Sequence, residues 1–88
     1  MKKYEIKYDK RFIKELEKVP SNTREKLKLA IEGLKDTPRP SGCTKLIGYE
    51  NLYRIRVGDY RVGYEIHDKM VVIVLVTVAH RRDIYKNL

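Results

Sequence analysis

Three arginines, Arg54, Arg56 and Arg61, fall within the segment YRIRVGDYRVGY at residues 53–64. Arginine keeps its charge at physiological pH and presents a planar fork of N–H donors that suits a phosphate. Gly58-Asp59, set between two alternating runs, is a two-residue hairpin signal. That loop pairs Val57 with Tyr60, Arg56 with Arg61 and Arg54 with Gly63. Side chains alternate across a strand, so Tyr53, Ile55, Val57, Tyr60, Val62, Tyr64 and Ile66 share one face, the natural core face. Arg54, Arg56, Arg61, Gly63 and Glu65 share the other. Directly opposed like charges, about 5 Å apart, are destabilising unless water solvates them or an anion fills the gap. Gly63 would leave bare backbone where a ligand can come close. The pattern describes a shallow phosphate-binding cleft; the plainer alternative is a solvated outer face with Glu65 pairing diagonally to Arg54.

The C-terminal stretch VAHRRDIYKNL adds Arg81 and Arg82, the aromatic Tyr85, and His80. Tyr85 suits stacking on a base of single-stranded RNA or anchoring of the tail. Histidine is a side chain suited to proton exchange, so His80 is a tentative proton donor or acceptor, although a lone histidine is more often structural. Taking His67-Asp68-Lys69 as the next turn pairs Met70 with Ile66 and puts Val71, Ile73 and Leu75 on the arginine face. Apolar residues there call for a cover: the tail, a partner chain, or both. The same pairing sets Leu75 opposite Arg61 and leaves Arg81 roughly 20 Å further along. Either the chain bends back after Ala79 or the ligand is extended.

These residues need a scaffold. Tyr4, Ile6 and Tyr8 alternate with polar neighbours as in a half-buried strand. Asp9 stands as an N-cap before Phe12, Ile13, Leu16 and Val19 at helical spacing, stopped by Pro20. Asn22 and Glu25 have capping-box spacing ahead of a second apolar stripe, Leu27, Ala30, Ile31 and Leu34. The stretch 37–42, TPRPSG, cannot continue that helix. Lys45–Ile47 reads as a short strand, Leu52–Val57 and Tyr60–Ile66 as the hairpin, and Met70–Ala79, the most apolar run, as the central strand. The expectation is α+β, in the order β-α-α-β-β-β-β with a short C-terminal helix or tail over Arg82–Leu88. A two-helix hairpin packs on one face of a mainly antiparallel sheet, and residues 1–88 form a single domain.

Composition sets the class of partner. The net charge is +8, from 20 basic and 12 acidic residues, which favours polyanions such as nucleic acid or an acidic protein. Five of the eight arginines lie between Arg54 and Arg82. Cys43 is the only cysteine, so no internal disulfide forms and a reducing cytoplasm fits. Two separated histidines give no basis for a structural metal. The start lacks an apolar signal core and no run is long enough to span a membrane.

The segments YDKRFIKELEKVP, KLIG, LYRIRVGDYRVGYEI and VVIVLVTVAHRRDIY resemble the RelE/ParE toxin superfamily of type II toxin–antitoxin systems over nearly the whole length. The resemblance implies a RelE-like microbial RNase fold. Its RelE branch cleaves mRNA in the ribosomal A site; its ParE branch inhibits DNA gyrase without cutting RNA. An Arg followed shortly by a Tyr, as in HRRDIY, looks like the nuclease branch. Carried over by position, Arg54 and Arg56 match two basic strand residues, one a general base and one a stabiliser of the phosphorane. Arg61 matches the cation on the scissile phosphate, Arg81 the leaving-group arginine, and Tyr85 the base-stacking tyrosine. Arg82 adds a substrate contact. The resemblance implies a metal-independent, ribosome-dependent mRNA interferase with no cofactor. Well-studied nuclease members have Lys where this chain has Arg54 and Arg56. An arginine is a poor base, so the proton acceptor would be His80, a carboxylate such as Glu65, or a ribosomal group. The family also implies a cognate, RelB-like, acidic antitoxin that wraps the toxin, in a higher-order complex.

Overall fold

The computed structural model describes residues 3–83. Strand β1 (Glu5–Tyr8) leads into helix α1 (Lys10–Leu16) and helix α2 (Ser21–Leu34); then come β2 (Thr44–Lys45), β3 (Leu52–Val57), β4 (Tyr60–His67) and β5 (Val72–His80). The sheet runs β1-β5-β4-β3-β2, with β1 parallel to β5 and every other pair antiparallel. This is the expected α+β order; beyond Asp83 the helix or tail expected over Arg82–Leu88 lies outside the described residues. The apolar strand β5 is interior, between β1 and β4, but the middle place belongs to β4.

Local signals place the helices with two corrections. Asp9 caps α1 as expected, accepting the Arg11 N–H at 2.9 Å. The Asn22–Glu25 capping box does not form. The Pro20 carbonyl accepts the Arg24 N–H at 2.9 Å, so α2 already begins at Ser21. Asn22 is then inside the first turn, and its amide oxygen accepts from Thr23 N–H instead. The short strand falls on Thr44–Lys45 rather than Lys45–Ile47, and Ile47 stands in solvent. Phe12, Val19, Leu27, Ile31 and Leu34 from the helical segments meet Tyr53, Ile55, Val62, Tyr64 and Ile66 from the hairpin in one apolar cluster. Burial of this apolar surface is the main stabilising term.

The hairpin register is as read: Val57 faces Tyr60, Arg56 faces Arg61 and Arg54 faces Gly63. The β4–β5 register is not. The turn takes Asp68 to Val71, closed by Val71 N–H to the Asp68 carbonyl at 3.2 Å, so Ile66 faces Ile73 instead of Met70. A shift of odd length moves side chains to the opposite face. Ile73 and Leu75 therefore enter the core, each fully buried, and are not on the arginine face. Val72 and Val74, opposite His67 and Glu65, take their place on the arginine face, so apolar side chains stand there still. A second irregularity follows. Tyr64 faces Leu75 but Gly63 faces Thr77, leaving Val76 as an extra residue. This β-bulge restores the expected parity beyond it, and Arg61 faces Ala79.

A polar cluster fastens the long turn. Arg39, in the loop after α2, donates two hydrogen bonds to Asp68, at 2.8 and 3.3 Å, and a third to the Tyr53 hydroxyl at 3.2 Å. Its guanidinium also lies 5.0 Å from the Tyr53 ring centre. Tyr4 donates to Asp68 at 2.7 Å, and Tyr64 donates to the Pro38 carbonyl at 2.8 Å. Asp68 is thus held from the residue before β1 and from the 37–42 loop at once. This matters because Val71 sits at φ +56°, a left-handed conformation costly for a β-branched residue.

The hydrogen bonds from Arg39, then that from Tyr4, hold the Asp68 carboxyl below its usual range. A lowered folded-state pKa gives stability that is whole above the unfolded value, about 3.9, and lost as pH falls through the folded one. Asp68→Asn should therefore lower Tm at pH 7, and the gap to the wild type should close on acidification below about pH 3.9. Thermal unfolding of both proteins across that range checks it.

Candidate nucleic-acid interface

The opposed pair Arg56 and Arg61 is tolerated by an uneven arrangement. Arg56 is exposed, whereas Arg61 is half-buried and donates from Nη1 to the carbonyls of Tyr60 (3.2 Å) and Gly58 (3.4 Å). The hairpin tip thus gives Arg61 acceptors of its own. Arg54 is half-buried two pairs further down. Gly63, opposite Arg54, is buried, so it does not offer the open backbone expected of it.

The longer turn and the bulge together bring the C-terminal cation close. With Ala79 opposite Arg61, Arg81 follows only two residues later, about 7 Å along the strand rather than roughly 20 Å. Its backbone N–H donates to the Asp59 carbonyl at 2.7 Å, which locks the exit of β5 to the hairpin tip. No return bend is needed. Arg81 and Arg82 are both exposed. Tyr85 lies outside the described residues.

His80 is placed elsewhere. It faces Tyr60 across the β4–β5 ladder, and the rings meet edge to face at 5.4 Å. Tyr60 belongs to the core face, so the structure does not bring His80 together with Arg54, Arg56 and Arg61. Its Nδ1 accepts the Arg82 N–H at 3.3 Å and its carbonyl accepts the Asp83 N–H at 2.7 Å. In this place it shapes the exit of the chain.

One contributor was not anticipated. Glu15 of α1 reaches β5 beyond the end of β1, where its Oε1 accepts from the Thr77 hydroxyl (2.6 Å) and the Val78 N–H (3.2 Å). Thr77 is fully buried. The carboxylate satisfies the β5 edge just past the bulge, and Arg11, one turn earlier on α1, pairs with its Oε2 at 3.7 Å. The i,i+4 spacing of Arg11 and Glu15 was the available signal, but it reads equally as a solvated helix pair.

A family model described as the ParE toxin of the type II toxin–antitoxin system, parDE, matches residues 6–85. The chain belongs to the RelE/ParE toxin family. It is 37% identical over 84 residues to toxin RelE3 of Methanocaldococcus jannaschii, covering 91% of this chain and 93% of that one. It is 32% identical over 80 residues to the mRNA interferase toxin RelE of Escherichia coli, covering 89% and 83%. Among solved structures, the RelB–RelE antitoxin–toxin complex from Methanococcus jannaschii superposes with a TM-score of 0.77 at 35% identity, covering 93% and 98%. The intact E. coli RelBE complex gives 0.78 at 32% identity, covering 88% and 95%. The two-helix, five-stranded architecture is the RelE fold, and the chain is a RelE-type toxin.

Within this toxin the arginine face depends on α1 through Glu15. Glu15→Ala leaves a buried hydroxyl and a strand amide without their acceptor and should cost about 2 kcal/mol. Denaturant unfolding measures it; Glu15→Gln, which keeps an acceptor oxygen, should recover part of the loss.

Proposed function

We propose that this toxin is a ribosome-dependent endoribonuclease that cuts mRNA in the A site and so stops translation. The observation that carries the reading is the single row formed by Arg56, Arg61 and Ala79, with Arg81 fixed beside it at the hairpin tip. With Arg54 on the same face, these permanent cations supply positive charge of the kind that stabilises a pentacoordinate phosphorane. The name of the E. coli relative, an mRNA interferase, supports the same class.

In this reading the ribose 2′-oxygen attacks the adjacent phosphorus and the P–O5′ bond breaks. The products are a 2′,3′-cyclic phosphate and a 5′-hydroxyl. Arg61 leaves its carbonyl acceptors for the scissile phosphate, Arg54 and Arg56 stabilise the added negative charge, and Arg81 meets the departing 5′-oxygen. Arg82 contacts the substrate backbone and Tyr85 stacks on a base. The arginines cannot accept the 2′-proton, His80 lies on the other face, and Glu65 is four residues along β4 from Arg61. The 2′-proton therefore passes to a group of the ribosome, and the departing 5′-oxygen, its charge offset by Arg81, takes a proton from solvent. Free RNA is therefore a poor substrate, and the ribosome supplies alignment. No metal is needed in this reading, because the arginines supply the positive charge. The natural inhibitor is a RelB-like, acidic antitoxin that wraps the toxin, as RelB accompanies RelE in the related complexes, within a higher-order assembly in the cytoplasm.

The family model named for ParE and the arginines in place of the family's lysines favour a second reading, inhibition of DNA gyrase without RNA cleavage. Programmed ribosomes with an empty A site separate the two. Primer extension should find a cut within the A-site codon, absent on free messenger, and Arg61→Ala or Arg81→Ala should slow it about 10²–10³-fold. Intact messenger together with inhibited supercoiling would establish the gyrase reading instead.

A further inference from the structure

The arginine face does not end at Gly63. Strand alternation continues it to Glu65 and His67, whose cross-strand neighbours are Leu52, Val74 and Val72. Here the chemistry changes. His67 Nε2 and Glu65 Oε1 are 2.9 Å apart. Tyr49, Glu50 and Asn51, from the loop between β2 and β3, Arg11 from α1, the buried Leu52 and the bulge residue Val76 join them around an open cavity of about 430 Å³. That volume lies within the roughly 300–1,000 Å³ of small-ligand clefts. Tyr49 is half-exposed there.

We propose that this cavity is a nucleobase subsite, which selects the sequence that the toxin cuts; the inference rests on the RNA-cleaving reading. A carboxylate at the end of a phosphate-binding face repels the backbone of an RNA strand. It becomes favourable only where a base edge presents N–H donors. Ionised Glu65 is acceptor-only, with about four lone-pair positions, and His67 uses one of them when its Nε2 carries the proton. Guanine is the base that sets two adjacent donors, N1–H and N2–H, on its Watson–Crick edge, matching the two carboxylate oxygens. Asn51 offers an amide for the neighbouring carbonyl. Tyr49 supplies the ring on which a splayed base stacks, as in single-strand RNA recognition. Arg11, paired with Glu15 on α1, is the cation of the lining. Along β4 the subsite is about 13 Å from Arg61, so it reads a neighbour of the cleaved link rather than the reacting nucleotides.

The test has two arms. In the first, messenger 5′ ends are mapped on programmed ribosomes carrying randomised A-site surroundings, with wild type, Glu65→Gln and Tyr49→Ala. The wild type should favour guanine at one fixed position near the cut. Both variants should still cut, with that preference reduced about tenfold, the size of one base contact. A preference unchanged in both variants overturns the proposal. So does an equal loss of cutting at every sequence, which would make Glu65 part of the reacting centre. In the second arm, short single-stranded RNAs with and without guanine are titrated by fluorescence anisotropy. Wild type should bind the guanine-bearing strands more tightly, and Glu65→Gln should erase the difference. No discrimination by the wild type overturns the subsite. If the wild type discriminates in solution but cuts nothing on the ribosome, the cleavage reading fails and the subsite stands.

Discussion

One extra residue in β5 holds the arrangement together. The first half of that strand must bury Ile73 and Leu75 against the helices, while the second half must set Thr77 and Ala79 beside the arginines and Val78 in the core. No uniform strand meets both demands from the turn that precedes it. Val76, outside the ladder, reconciles them. A bulge disrupts local pairing, and β1 pairs with β5 only as far as Leu75. The Glu15 carboxylate supplies what is missing at Thr77 and Val78. A helix that looks like a cover for the core is therefore also part of the sheet edge, and the position of Arg81 depends on it.

The other end of β5 is secured differently. The turn at 68–71 accepts a left-handed valine because Asp68 is gripped by Arg39 and Tyr4. Arg39 in turn lies against Tyr53, next to Tyr64 in the core. The register of β5 is thus fixed by contacts that begin in the loop after α2, about thirty residues earlier in the chain. Burial, with charge and hydrogen bonding to Cys43 as smaller causes, also raises the Tyr64 hydroxyl well above its usual range. It stays protonated and donates to Pro38.

How far the sequence shows this can be traced residue by residue. The hairpin was legible because a two-residue loop permits one register and period-2 alternation does the rest. Arg54, Arg56 and Arg61 were placed by parity alone. The β4–β5 turn was not legible. Asp68 to Val71 contains no glycine or proline, and its conformation comes from Arg39, a distant residue. Nor was the bulge, since Val76 sits in an unbroken apolar run. The misread turn displaced Ile73 and Leu75 to the wrong face, and turn and bulge together misplaced Arg81 along the strand. The roles of Arg81 and Tyr85 came from the family resemblance, and Tyr85 falls outside the described residues. Glu15 and His67 were overlooked because each looks like an ordinary surface residue until the strands are paired.

The uniform use of arginine on the hairpin has a consequence for control. A lysine or histidine surface can be silenced by a change in acidity or by removal of a proton. Arg54, Arg56, Arg61 and Arg81 keep their charge under every condition in which a cell lives. Their surface has no intrinsic off state. Its regulation has to be stoichiometric: a molecule of opposite charge must physically occupy it, and the amount of free toxin then follows from the supply of that molecule rather than from any property of the fold.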